Sequence, residues 1–252
     1  MALRVRIFST PQTAARALAG DLARRLRADP RLVIGLPTGR TPIPLYREVA
    51  ALHAAGRVSF SRATTFNLDE FLGIAPADPR SYHAFMRRHL FDRIGISPRR
   101  VHLLDGLAHD AARECTRYER AIRRAGGIDL QILGLGGNGH IGFNEPGRAL
   151  VAATHRTRLR PSTRRANAPL FGGRVGDVPR EALSMGMGTI LGARRIVLLA
   201  TGASKARCVQ RMIDGPVTTR VPASFLQLHS NAEVWLDRDA AAALKTSNRR
   251  VS

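Results

Sequence analysis

The chain has 252 residues, 44% hydrophobic and only 5% aromatic, which suits one large domain with a core of Ala, Leu, Val and Ile. Its formal charge is +21, but Lys205 and Lys245 are its only lysines and the arginines are spread from Arg4 to Arg250 with no interleaved aromatics, so the excess reads as a compositional bias that attracts anionic small molecules, with nucleic acid not expected as a partner. Two distant cysteines without a CxxC argue against a disulfide framework or zinc site, the start MALRVRIFST has no signal core, and no apolar run approaches the roughly 18 residues of a membrane span, so a cytoplasmic, non-membrane protein is expected.

Residues 3–8 alternate apolar and basic side chains and read as a strand. Ser9 or Thr10 can cap the next helix, with Pro11 in its first turn. Ala14, Leu18, Leu22 and Leu26 carry that helix to about residue 28, where Asp29-Pro30 stops it. Residues 31–36 are a buried strand that empties into Pro37-Thr38-Gly39-Arg40-Thr41-Pro42. Thr41 is the expected N-cap and Pro42 the first residue of a helix running to about residue 55. A strand, a Gly/Thr turn and a helix start can bind phosphate through free N–H groups and the positive helix end. The same segment also serves as an ordinary βα turn, and no GKS or GKT makes it a Walker loop.

Residues 63–67 are a third strand, followed by Leu68-Asp69-Glu70-Phe71-Leu72-Gly73. A carboxylate held among apolar residues can have a raised pKa and act as a base; the pair also reads as an acidic helix start or a solvated loop. A helix over 81–94, a short strand over 101–104 and a helix over 108–125 follow. His53, His83, His89, His102 and His109 are scattered without metal-ligand spacing.

Residues 128–133 form an apolar strand that feeds residues 134–146, GLGGNGHIGFNEP. Glycine weakens helix and strand alike and Pro146 closes the segment, so it is a loop carrying Asn138, His140, Asn144 and Glu145. Beyond it, residues 151–159 are partly strand-like and strongly basic. Residues 163–171 look helical until Pro169, 172–176 are loop, and 181–191 contain a second glycine-dense crossover. Residues 195–200 are a buried strand opening into Thr201-Gly202-Ala203-Ser204-Lys205 and a helix to about Asp214. Residues 234–236 are a last short strand and 246–252 a frayed tail. No repeat or linker divides the chain, so residues 1–252 read as one domain.

Strands alternating with helices predict an α/β fold: a single-domain, open, mostly parallel sheet with helices on both faces, Rossmann-like in type. Four polar clusters each follow the C-terminal end of a strand, which is where ligands bind in such sheets. Gly134, Gly136 and Gly139 satisfy G-x-G-x-x-G, but Phe143-Asn144-Glu145-Pro146-Gly147 prevents the helix a dinucleotide site needs, and residues 154–160 contain no acid. No G-x-S-x-G elbow and no HExxH is present. What remains is His140 with carboxylates and an amide, beside a phosphate turn. That set suits proton transfer next to a carbonyl on a phosphorylated small molecule, with neither metal nor cofactor.

The segments GLPTGRTP, TTFNLDEFLG, DPRSYHAFM, GLGGNGHIGFNEP, TGASKA and LQLH, spanning about Leu32 to Trp235, resemble the glucosamine-6-phosphate deaminase family, the glucosamine/galactosamine-6-phosphate isomerases. The related 6-phosphogluconolactonases share the fold and a similar loop but lack the GFNEP ending. The resemblance implies isomerisation of an amino-aldose phosphate to a ketose with release of ammonia, giving fructose-6-phosphate. By the same resemblance Asp69 is the base that moves a proton from C2 to C1, His140 opens the pyranose ring, and Asn138 and Glu145 are its partners. Thr38, Gly39, Arg40 and Thr41 form the phosphate turn, and Lys205 is a phosphate-binding lysine. In a chain so dominated by arginine, a lysine at a strand end suggests that a compact ammonium is wanted there.

The chain departs from the family pattern in three respects. Arg40 stands where a small residue is usual, and can add a phosphate contact or crowd the turn. Pro169 stands where many members have a phosphate-holding arginine, for which Arg164 or Arg165 is the candidate substitute. Arg148, Ala149, His155 and Thr157 occupy the positions of the allosteric N-acetylglucosamine-6-phosphate site of regulated members, so no such activation is expected. Two other readings remain: the same fold acting on another sugar phosphate, including lactone hydrolysis, and a non-enzymatic sugar-phosphate sensor that binds nucleic acid. Gluco versus galacto preference and homo-oligomerisation stay open.

Overall fold

The computed structural model describes residues 3–245. The chain runs β1 (Arg4–Phe8), α1 (Pro11–Ala28), β2 (Val33–Leu36), α2 (Ile43–Ala54), β3 (Thr64–Asn67) and β4 (Asp69–Phe71). It continues through α3 (Tyr82–His89), β5 (Val101–His102), α4 (Ala111–Arg124), β6 (Leu130–Leu133), β7 (His155–Arg158) and α5 (Pro161–Asn167). The last elements are β8 (Glu181–Ser184), α6 (Met187–Leu191), β9 (Arg195–Ala200), α7 (Ala206–Ile213) and β10 (Ala232–Asp237).

Seven strands form one sheet in the order β1-β10-β9-β6-β2-β3-β5, with every pairing parallel. Its central strands, VIGL, LQIL and RIVLLA, are buried throughout, as parallel strands covered on both faces must be. Alternate residues feed two cores. Ile34, Leu36, Ile132 and Leu199 pack with α1, α2 and α3 on one face. Val33, Leu133, Ile196 and Leu198 pack with α4, α6 and α7 on the other. The Rossmann-like α/β class expected from the alternation is the observed one.

The order of the sheet creates the site. From β2 the chain builds outward through β3 to β5, returns to the centre at β6, and then builds the other way through β9 and β10. The reversal falls between β2 and β6, where the loops leaving the strands part and open a crevice. At the opposite end of the sheet, Arg195 at the start of β9 bridges Asp21 of α1 and Glu233 of β10, a buried network that ties the first helix to the last strand.

Several local expectations need correction. A second, antiparallel sheet, β4-β8-β7, was not foreseen. Asp69 and Glu70 therefore lie on a strand, not on a helix start or solvated loop, because Asp69 pairs with Ser184 and Glu70 with Leu183. Thr41 is not a cap: α2 starts at Ile43, after Pro42, with no side-chain cap bond. The helix expected over 81–94 breaks at Leu90, whose φ of −139° leaves the helical region, and a 3-10 turn follows over Phe91–Arg93. α5 ends at Asn167 and gives way to a 3-10 turn, Ala168–Phe171, around Pro169. The 246–252 tail lies outside the described residues.

Candidate active site

The crevice holds a cavity of about 210 Å³ whose wall comes from the ends of β2, β3, β6 and β9. At one end is the turn from Pro37 to Thr41. Gly39 has φ +92°, a conformation that costs any other residue strain, and so lets the chain double back into α2. The Tyr46 phenol, buried in the first turn of α2, donates to the Pro37 carbonyl and holds the turn down. Thr38, Gly39, Arg40 and Thr41 all line the cavity. Lys205 meets them from the turn after β9, where Gly202, at φ +87°, donates its N–H to both Asp237 oxygens at 3.0 Å. The Lys205 ammonium donates to the Leu135 carbonyl at 2.7 Å. Burial pulls it below its usual pKa; the Cys208 thiol opposes this and the Arg40 charge adds to it. Two cations thus share one end of the cavity.

Asp69 forms the floor and is 6% exposed. Its closest hydrogen-bond partner is the Thr38 hydroxyl, at 3.5 Å. Burial raises its pKa to about 8, the adjacent Glu70 raising it further and Thr38 lowering it. Glu70 faces α3: Oε1 accepts from the Phe71 and Tyr82 amides at 2.8 and 3.1 Å, and Oε2 from His83 at 3.0 Å. Burial pushes its carboxyl up to about 7 against those three N–H groups, with Asp105 also raising it.

The glycine loop supplies the third wall. It folds on itself through Gly136 N–H to the His140 carbonyl at 2.9 Å and Gly139 N–H to the Gly136 carbonyl at 3.0 Å. A Cβ at Gly136 would fall 2.3 Å from His140 Nε2, so only glycine lets the imidazole lie across this segment. His140 lines the cavity, whereas Asn138 and Glu145 stand behind it. Asn138 Nδ2 donates to Glu145 Oε2 at 2.8 Å and Asn138 Oδ1 accepts from the His140 amide at 3.2 Å. His140 Nδ1 lies 3.6 Å from Glu145 Oε2 and 3.4 Å from the Thr163 hydroxyl, so its second nitrogen, Nε2, is the one turned to Gly136. Burial would raise Glu145, but His140, Thr163 and Asn138 outweigh it and hold the carboxyl at about 2. Asn144 anchors the loop by donating to the Ile141 and Met185 carbonyls, each at 2.9 Å.

The structure thus brings Thr38, Gly39, Arg40, Thr41, Asp69, His140 and Lys205 to one cavity, with Asn138 and Glu145 one layer out. Tyr82 and Asn167 also line it and were missed. Tyr82 lay within DPRSYHAFM, and a tyrosine in a chain with three of them was a usable signal. Arg164 is not a substitute for the arginine absent at Pro169: it donates to the carbonyls of Val175, Gly176 and Val178. Neither it nor Arg165 lines the cavity. Among the described residues no group of three or more His, Cys, Asp or Glu is placed to hold a metal, and no helix is long and apolar enough to cross a membrane.

An open parallel sheet with a cavity at its switch point, lined by two cations, a buried acid and a histidine, defines an α/β protein with a pocket whose charge suits a small anionic ligand. The model of the family of glucosamine-6-phosphate isomerases and 6-phosphogluconolactonase matches residues 9–235, and the chain belongs to that family. It is 46% identical over 242 residues to a glucosamine-6-phosphate deaminase of Halothermothrix orenii, covering 96% of this chain and 100% of the relative. It is 47% identical over 231 residues to glucosamine-6-phosphate deaminase 2 of Bacillus subtilis, covering 91% and 93%. A solved structure of a monomeric glucosamine-6-phosphate deaminase superposes with a TM-score of 0.92 at 41% identity, covering 96% of this chain and 100% of that one.

Proposed function

We propose that this chain is a glucosamine-6-phosphate deaminase, converting glucosamine-6-phosphate and water to fructose-6-phosphate and ammonia. The observation that carries the reading is the sharing of one cavity by Asp69, His140 and Lys205. A base, a ring-opening group and a cation around one cavity match the chemistry and charge of a phosphorylated amino sugar.

The phosphate sits in the turn from Thr38 to Thr41, against Lys205 and Arg40. Backbone N–H groups at the start of α2 and two cations offset its charge. Ring opening comes first. With Nδ1 facing Glu145 and Thr163, His140 Nε2 takes the anomeric hydroxyl proton and returns one to the ring oxygen, giving a C1 aldehyde. Glu145, ionised and held by Asn138, fixes the tautomer and stabilises the transient imidazolium. Asp69 then takes the proton from C2, and the electron pair moves toward the C1 carbonyl. Return of that proton to C1, with a proton passing from the amine nitrogen to the C1 oxygen, leaves a hydroxymethyl group at C1 and an imine at C2. Water adds to that imine and ammonia leaves. A raised pKa makes Asp69 a stronger base once ionised, and burial shields it from bulk water.

Lactone hydrolysis is the second reading, because the fold is shared and a histidine beside a cationic end would suit that reaction too. It gives no role to Asp69 as a carbon base. Ammonia release from glucosamine-6-phosphate and lactone opening of 6-phosphogluconolactone, measured on the same preparation, separate the two. The first is expected to exceed the second by orders of magnitude, and the reverse ratio would overturn the assignment. We place the enzyme in the cytoplasm, in keeping with two free, buried cysteines.

A further inference from the structure

Glu70 has no part in the reaction just described, yet it is a buried carboxyl, 1% exposed, that accepts three backbone hydrogen bonds. Two of the donors, Tyr82 and His83, are the first two residues of α3, whose N-cap is Ser81. The third, Phe71, is the next residue of β4. The carboxyl therefore clamps the start of α3 to the strand that carries Asp69. It is also hemmed in: a Cβ on Gly106 would lie 3.3 Å from Glu70 Cγ and 2.5 Å from the Phe71 carbonyl. Tyr82 is the residue so held, and it lines the cavity. Its ring packs 4.8 Å from Phe71 and stacks on Phe143 at 6.0 Å, and its hydroxyl donates to Asn167 Oδ1 at 3.5 Å.

We propose that Glu70 is a positioning residue for the deamination, fixing the Tyr82 ring as a wall of the sugar cavity and setting the charge beside Asp69. The inference rests on the deaminase reading. Removing the clamp frees the first turn of α3 and lets Tyr82 swing, so the open-chain sugar is held less well against Asp69. Removing the charge takes away a like-charge neighbour that disfavours the ionised form of Asp69. The other ionisable groups around the pair are Tyr46 of α2, Tyr82 and His83 of α3, Tyr118 of α4, Asp105 in the loop before α4, and His140, Arg40 and Lys205 on the cavity wall. An isosteric change at Glu70 leaves each of these groups in the sequence, and of them Tyr82, which the Glu70 charge also raises, and His83 touch Glu70 directly.

The test compares wild type, Glu70→Gln and Glu70→Asp for ammonia release from glucosamine-6-phosphate across pH, with a thermal melt of each. In Glu70→Gln, kcat is expected to fall roughly tenfold. The acid limb of kcat/KM is expected to move to lower pH by about half a unit or more. Glu70→Asp keeps the charge but cannot reach all three amides, so kcat falls while the limb stays in place. A residue serving stability alone would lower the melting point and leave the limb unmoved in Glu70→Gln; that result overturns the proposal. Should Glu70→Gln not fold, a Glu70→Asp enzyme with wild-type kcat overturns it equally. A wild type that releases no ammonia fails the deaminase reading, and this inference with it. An active wild type with an unshifted Glu70→Gln profile fails this inference alone.

Discussion

Asn138 Nδ2 donates to Glu145 Oε2 at 2.8 Å, and the same oxygen lies 3.6 Å from His140 Nδ1. One carboxyl oxygen is thereby shared between an amide that holds it still and an imidazole that it orients. Glu145→Gln keeps the volume but loses the charge that stabilises the imidazolium. We expect kcat to fall by about two orders of magnitude with the fold intact. With its folded pKa lowered to about 2, the Glu145 carboxyl adds stability above its unfolded pKa that is lost as pH falls through the folded value. Glu145→Gln should therefore melt below wild type at neutral pH, and the gap should close toward pH 2. Steady-state kinetics and calorimetry check the two expectations.

Asp69 predicts the pH profile. Its carboxyl, pushed up to about 8 by burial and by Glu70, must be ionised to take the C2 proton. The acid limb of kcat/KM, which reports the free enzyme, should lie toward that value and well above the ordinary carboxylate range near about 4. A limb between pH ~4 and ~5 would show that Asp69 is not the limiting base.

The same burial has the opposite sign for stability. Between the unfolded pKa and the raised folded value the native state binds the extra proton, so stability falls as pH rises through that window. Asp69→Asn removes the cost of ionising a buried group. Its melting temperature at pH 8 should exceed that of wild type by roughly 2–4 °C, with the gap shrinking in acid. Differential scanning calorimetry at two pH values decides this, and a lower melting point for the variant at pH 8 would contradict it.

Arg40 and Lys205 divide the phosphate end differently. Arg40 is exposed, whereas Lys205 is partly buried and bonded to the Leu135 carbonyl. Arg40→Ala should raise KM by about three- to tenfold with little change in kcat, an effect that weakens in high salt. Lys205→Ala should cost more and depend less on salt, because its site is less screened. KM measured at two ionic strengths tests both, and an unchanged KM in Arg40→Ala would mean that this arginine does not meet the phosphate.

Most of the framework was legible because parallel strands buried on both faces are short apolar runs ending in glycine-rich turns; residues 33–36, 130–133 and 195–200 all have that form. β4 was not legible. Two carboxylates in three residues carry no strand pattern, and their pairing depends on Leu183 and Ser184, more than a hundred residues away. The roles drawn for Asp69 and His140 came from motifs, whereas the place of Tyr82 on the cavity wall depends on how α3 is set against β4, where Glu70 accepts from the Tyr82 and His83 amides, a tertiary contact that the motif DPRSYHAFM alone does not spell out. Arg164 shows the converse: as a cation near the right place it suggested a ligand, but three carbonyls had already engaged it.

The most direct test is the coupled release of ammonia and fructose-6-phosphate from glucosamine-6-phosphate by wild type, Asp69→Asn and His140→Gln, each checked for folding by its melting curve. Wild type should form the two products in equal amounts, and each variant should lose turnover while staying folded. Full activity in either variant, or a folded wild type that releases neither product, would contradict the account.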